Sequence, residues 1–290
     1  MCALVTNIKL QNLYSGERSD LRPRLLGPLS ADDPDMLNIL CERYLLPPDP
    51  RPYNIISNNA LYNYHNRQYG GTITKRIQET FSHINKGFFV EAGALDGVYL
   101  SNTLWLEQKL GWTGLLVEPN IFSYKELLTK HRKAWVSNTC LSSTKYPRQT
   151  VMASLFPEAW FEYQMNIKGS SHELGVQNLE NNNSVYFFNS ATEQFTNVQC
   201  FPLASYLLAL NVSTVDFLSL DIQGSEKAVL DTLPWDSVNF RALLVEPSKE
   251  MIKQGILDIM TKRGYKYKDF TDNDILFIKK GDPLLDFKSS

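Results

Sequence analysis

The protein has 290 residues, 43% of them apolar and 21% charged. A chain of that length and composition can bury a sizeable core, which excludes disorder of the whole. Lys plus Arg total 29 against 31 Asp plus Glu, a net charge of −2. That balance lacks the basic excess of a protein that works by neutralising phosphates, so no nucleic-acid partner is expected.

Residues 1–71 are rich in Pro, Asn, Tyr and Arg and read as an N-terminal arm that packs on, or trails from, the core. The first residues turn polar at once, and no apolar run approaches the ~20 residues that cross a bilayer, so a cytoplasmic location and no transmembrane segment are expected. Apolar spacing predicts a helix over Asp33–Tyr44, and the prolines at 46–52 preclude helix or central strand there. Gly70-Gly71 predicts a break, followed by a helix over Ile73–Ile84.

Residues 72–290 read as one α/β domain. Apolar runs at Phe88–Glu91, Gly114–Glu118 and Ala134–Cys140 alternate with helical patterns at Ser101–Leu110 and Ile121–His131, the rhythm of βαβ units and a parallel sheet. An insertion at about 143–198 interrupts it, with a hairpin expected from Val176–Leu179 to Val185–Phe188 and an aromatic stretch (Phe156, Trp160, Phe161, Tyr163) that either lines an acceptor pocket or forms a satellite core. The rhythm resumes with helix Leu203–Leu210, strand Val215–Asp221, helix Ser225–Leu233, strand Ala242–Glu246 and helix Lys249–Arg263. Tyr265–Phe270 and Ile275–Lys279 suit an antiparallel hairpin. The expected sheet has seven strands, mostly parallel, with helices on both faces.

Four cysteines form no Cys-x-x-Cys or Cys/His set, so no metal site is expected. Because cytosolic disulfides are rare, Cys140 and Cys200 are expected as buried free thiols, and a bond between them only in a lumenal protein. Asn182-Asn183-Ser184 and Asn211-Val212-Ser213 match glycosylation sequons, which have meaning only in a secretory chain. The four histidines are scattered without ligand-spaced partners.

Three segments carry chemistry. In the first, strand Phe88–Glu91 ends in an acid and feeds a loop with Gly93 and Gly97. The spacing is Glu-x-Gly-x-x-x-Gly, which disfavours both a phosphate loop and the Gly-x-Gly-x-x-Gly of nicotinamide enzymes. About two dozen residues on, Glu118-Pro119 ends the second strand, where an acid can accept both hydroxyls of a ribose. In the third, Asp221 ends a strand, Gly224 relaxes the turn, and Glu226 is either a site residue or a helix-start acid favoured by the dipole.

These segments, with Gly111-Trp112-Thr113-Gly114 and Ser101-Asn102-Thr103-Leu104, resemble the FkbM-type methyltransferase domain, most closely its animal Star-like branch. The resemblance spans about residues 87–280. It implies a Rossmann-like class I methyltransferase fold that uses S-adenosyl-L-methionine (SAM). It further implies that Glu91, Gly93, Asp96, Gly97, Ser101 and Asn102 belong to the first cofactor motif. Glu118 and Pro119 fall on the ribose, Cys140 and Leu141 near the adenine, and Asp221 at the transfer centre. The expected activity is O-methyl transfer to a hydroxyl of a small molecule or sugar, with Asp221 or Glu246 as general base; a divalent cation held between those two acids is a lesser alternative. The Star-like branch implies another reading, a scaffold without transfer activity that has vesicle-trafficking partners and a secretory-pathway or endosomal association.

Overall fold

The computed structural model describes residue 2 and residues 28–56, 60–155, 172–173, 193–247, 250–271 and 273–285. The expected hairpin at 176–188 and the aromatic stretch at 156–163 lie outside these residues.

Seven strands form the main sheet: β1 (Phe88–Ala92), β2 (Thr113–Val117), β3 (Trp135–Ser137), β8 (Thr214–Leu220), β9 (Asn239–Val245), β10 (Tyr265–Asp269) and β11 (Ile275–Lys279). Their order is β10-β11-β9-β8-β1-β2-β3, parallel except that β11 runs antiparallel to both β9 and β10. Apart from the edge strand β10 (Tyr-Lys-Tyr-Lys-Asp, exposed beyond Tyr265), the strands are apolar through most of their length because both faces are covered. Phe89, Leu116, Phe217 and Leu244 point to one face, packing on α2 (Ala60–Phe81), α3 (Leu104–Leu110) and α4 (Ile121–Thr129). Val90, Val117, Leu218 and Val245 point to the other, packing on α5 (Leu203–Leu210), α6 (Glu226–Thr232) and α7 (Glu250–Lys262).

The described part of the arm is built into this second layer. Asp33 caps α1 (Pro34–Ile39) by accepting from Met36 N at 3.0 Å, and the helix continues as a π-helical turn, Leu40–Tyr44. Met36, Leu37, Leu40 and Leu45 are buried in the same cluster as β1 and β8. Beyond them the chain runs along the sheet edge: Leu46 bridges to Val136, Asp49 N donates to Arg132 O (3.1 Å), and Asn54 N donates to Lys130 O (3.0 Å). The Gly70-Gly71 break does not occur, since α2 passes through both glycines without interruption. Its Ile77 and Phe81 lie under the sheet, and that packing overrides the intrinsic cost of glycine in a helix.

The expected third strand is divided. β3 stops at Ser137, and β4 (Cys140–Leu141) leaves to join a second sheet of order β4-β7-β5-β6. In it the long strands β5 (Arg148–Leu155) and β7 (Glu193–Phe201) pair antiparallel, and β6 (His172–Glu173) adds to β5. The insertion is therefore in part a sheet of its own. Cys140 and Cys200 are not free thiols: they face each other across β4 and β7 and form a disulfide. Cys2 and Cys41 form another, so all four cysteines are paired. Direct cross-strand pairing brings the two β-carbons of 140 and 200 within bonding reach, which spacing along the chain does not reveal.

The Cys140–Cys200 bond closes a loop of 60 residues. Replacing both cysteines with serine is expected to lower stability by about 2–4 kcal/mol, mainly through the unfolded chain. Urea denaturation of the double variant against the oxidised protein measures it.

Candidate functional site

The parallel strands β1, β2, β8 and β9 end on one side of the sheet, and the three chemistry-bearing segments meet there. The hydrogen-bond ladder runs one step past the strands. Gly93 N donates to Val117 O at 3.0 Å, Asp221 N to Ala92 O at 3.2 Å, and Glu246 N to Leu220 O at 3.2 Å. Gly93 has φ +83°, and a β-carbon there would stand 2.0 Å from the carbonyl oxygen of Asp221. Glycine is therefore required first by the close approach of two strand ends, before any ligand is considered.

A cleft with about 670 Å³ of open space lies over these ends, lined by Gly93, Leu95, Glu118, Pro119, Cys140, Leu141, Asp221 and Gln223, among others. Glu118 is buried at its wall and shapes the loop facing it. One carboxylate oxygen accepts from Leu95 N (2.8 Å) and the other from Asn120 N (2.8 Å). Burial pushes its pKa up to about 7, against the pull of those two amides. Asn120 in turn caps α4, its Oδ1 accepting from Phe122 N (2.9 Å) and Ser123 N (3.3 Å).

A second cavity adjoins the first and shares Gly93, Leu95 and Asp221 with it. Its lining brings together Glu91, Asn102, Asp221, Glu246 and Asp274 and, among the described residues, contains no lysine or arginine. Asn102 Nδ2 donates to Ser219 Oγ at 2.9 Å, while its Oδ1 is buried and has no hydrogen-bond partner among the described residues. Asp221 accepts from Gln223 Nε2 at 2.8 Å. Leu95, Leu100 and Gln223 all have positive φ, a left-handed backbone that is costly for leucine, and all line one cavity or the other.

The other expected residues stand behind this wall. Asp96 accepts from Val98 N (2.9 Å) and Tyr99 N (2.8 Å) and turns the loop. Gly97, at φ +75°, leaves no room for a β-carbon against Leu127. Ser101 donates to Glu91 at 2.9 Å, and the other Glu91 oxygen accepts from Asn102 N at 2.7 Å. Glu226 is a loop-holding acid, fully buried, accepting from Ile222 N (3.1 Å) and Gly224 N (2.9 Å).

Sequence reading misses Arg132, which is 2% exposed. It pairs with buried Glu107 at 3.0 Å, donates to Thr103 Oγ1 at 3.1 Å, and bonds the carbonyl of Gly97. Burial pushes the Glu91 pKa up and the Arg132 charge pulls it back. Nothing in the local text marks Arg132, since its partners lie 25–35 positions earlier in the chain. Glu173 is missed for the same reason. It reaches the cleft from β6, tied to Arg148 and to Thr150 Oγ1 at 2.7 Å. Among the described residues no group of three or more His, Cys, Asp or Glu is placed to hold a metal ion.

Counting only the main sheet, the strand order reads 3-2-1-4-5-7-6, with the acids and glycine loop at the carboxyl ends. This is the Rossmann-like architecture of class I methyltransferases, with a ligand cleft where the strand order reverses. The Methyltransferase FkbM domain matches residues 91–267, and the chain belongs to that family. Among solved structures, the METTL16 MTase domain (crystal form 2) aligns at 13% identity with a TM-score of 0.40, covering 88% of this chain and 84% of that one. The human methyltransferase 10 domain containing protein aligns at 11% identity with a TM-score of 0.32, covering 85% and 96%. No curated protein matches by sequence.

Removing the Arg132 charge strands the buried carboxylate of Glu107, its direct partner, and takes the nearby positive charge from Glu91. Arg132→Met is expected to cost about 3–5 kcal/mol in chemical denaturation. The sign follows from Glu91: without Arg132 its folded-state pKa rises further above the unfolded value. The penalty is then largest at high pH and shrinks as pH falls and the carboxyl takes up a proton. A penalty independent of pH would assign the loss to packing alone.

Proposed function

We propose that the protein is a SAM-dependent O-methyltransferase acting on a hydroxyl of a small molecule or sugar. The observation that carries this reading is the buried Glu118 carboxylate at the cleft wall, which holds Leu95 N of the glycine loop and shares the cleft lining with Asp221. The residues present fit the cofactor. Glu118 offers oxygens to the ribose hydroxyls, and Pro119, Leu141 and Met152 give the apolar wall that an adenine needs. The unpartnered Oδ1 of Asn102, in an acid-lined cavity, suits the ammonium of an amino-acid moiety.

The bound cofactor would supply an electrophilic methyl group on a sulfonium. The protein's share is then positioning and proton removal. Asp221 lines both cavities, at the junction between cofactor and acceptor, and is the base we assign. Glu246, at the end of the neighbouring strand, lines the acceptor side and is second. The acids that surround this side disfavour phosphorylated or carboxylated acceptors and suit neutral hydroxyl compounds.

Glu118→Ala is expected to weaken SAM binding roughly ten- to a hundred-fold by isothermal titration. A ribose diol donates to the ionised carboxylate, so binding favours the charged form. Affinity should therefore be highest above pH 7 and fall as pH drops below it, by at most about tenfold per pH unit. Glu118→Gln should abolish that slope. Asp221→Asn is expected to keep SAM binding and lose methyl transfer by about 10²–10⁴-fold. Full transfer activity in that variant would move the base role to Glu246.

A further inference from the structure

We infer that Asn211 is an N-glycosylation site, and that the chain matures in an oxidising, lumenal compartment. Two independent features of the structure meet in this assignment. The first is cysteine pairing: Cys2–Cys41 and Cys140–Cys200 account for every cysteine of the chain. One of these bonds ties the arm to itself and the other ties β4 to β7 beside the cofactor cleft. Disulfides persist where the redox environment is oxidising and are rare in the cytosol, where thiols are kept reduced. A set of cysteines with no free thiol places the protein on the lumenal side rather than in the cytoplasm.

The second feature is the sequon Asn211-Val212-Ser213. It forms the turn between α5 and β8. Asn211 has φ +57° and closes α5 as its left-handed cap, and both Asn211 and Ser213 are exposed. Val212 between them packs against the core, which turns its two neighbours outward. A left-handed cap by itself accounts for an asparagine. It does not account for an exposed hydroxyl residue two positions on, or for the oxidising compartment that the cysteines independently require.

The position suits a bulky, hydrophilic group. β8 runs seven residues from the turn to the catalytic end of the sheet, about 20 Å at ~3.3 Å per residue. A glycan on Asn211 therefore extends from the opposite end of the sheet and leaves the cleft open. The modification joins Asn211 Nδ2 to the anomeric carbon of an oligosaccharide. The amide gives up a proton as the bond from that carbon to its lipid-linked pyrophosphate carrier breaks, and the carrier is the leaving group. The other sequon, Asn182-Asn183-Ser184, lies outside the described residues.

The test uses the full-length protein isolated from its own cells, denatured and alkylated without reductant, then digested with and without peptide N-glycosidase F. The expected result is no alkylated cysteine and conversion of Asn211 to aspartate by the glycosidase. Four alkylated cysteines, or an unmodified Asn211 in oxidised protein, would overturn the assignment. Three variants expressed in the same cells separate modification from folding. Ser213→Ala keeps the left-handed Asn211 and should lose the glycosidase-sensitive mobility shift, Ser213→Thr should keep it, and Asn211→Gln should lose it. A shift that persists in Ser213→Ala would place the glycan elsewhere.

Discussion

The glycine loop of the cleft depends on one buried charge. Arg132 sits on the face of the sheet opposite α1, with its guanidinium set over the Phe89 ring at 6.0 Å to the centroid. From there it holds the carbonyl of Gly97 and the hydroxyl of Thr103, and it neutralises Glu107 directly and Glu91 at longer range. Two carboxylates and one guanidinium in an apolar interior are stable only as a hydrogen-bonded set. This set joins β1, the loop after it, the start of α3 and the end of α4. The loop can then hold strained residues such as Leu95 and Leu100 in place at the cleft. Glu91, which ends the motif strand, acts on the cleft partly through this set.

The cleft has two walls of different origin. One consists of the ends of β1, β2 and β8, where the parallel sheet leaves backbone groups and acids facing a common space. The other comes from the second sheet, whose Met152 and Glu173 close the cleft and whose β7 is stapled to β4 by Cys140–Cys200. Elements outside the common sheet are free to vary around a fixed cofactor pocket. Two environments result within one site. The first cavity is mainly apolar, with the buried carboxylates of Glu118 and Glu173 and with Asp221, whereas the second is lined by Glu91, Asp221, Glu246, Asp274 and Asn102.

Much of the fold was legible in the text. Apolar runs ending in Glu91, Glu118, Asp221 and Glu246 marked the four central strands. They are buried on both faces, so their composition has little freedom. The loop glycines were legible because Gly93 and Gly97 take φ values that other residues rarely adopt. The division of Ala134–Cys140 into strands of two different sheets was not legible. Both halves are short and apolar, and only their partners distinguish them. The glycines at 70–71 were misleading because tertiary packing of Ile77 and Phe81 decides the helix.

The sequence by itself determined the sheet class, the order of motif strands and the identity of the acids at their ends. These follow from local composition and backbone geometry, which act over a few residues. Only the tertiary structure decided which acids line the cleft and which serve the loop. Glu118 and Asp221 line it, whereas Glu226 caps its own turn and Glu91 is shared with Arg132. It likewise decided the pairing of Cys140 with Cys200, which are 60 residues apart. Burial, charge compensation and cross-strand reach belong to groups brought together from distant parts of the chain, and no local pattern encodes them.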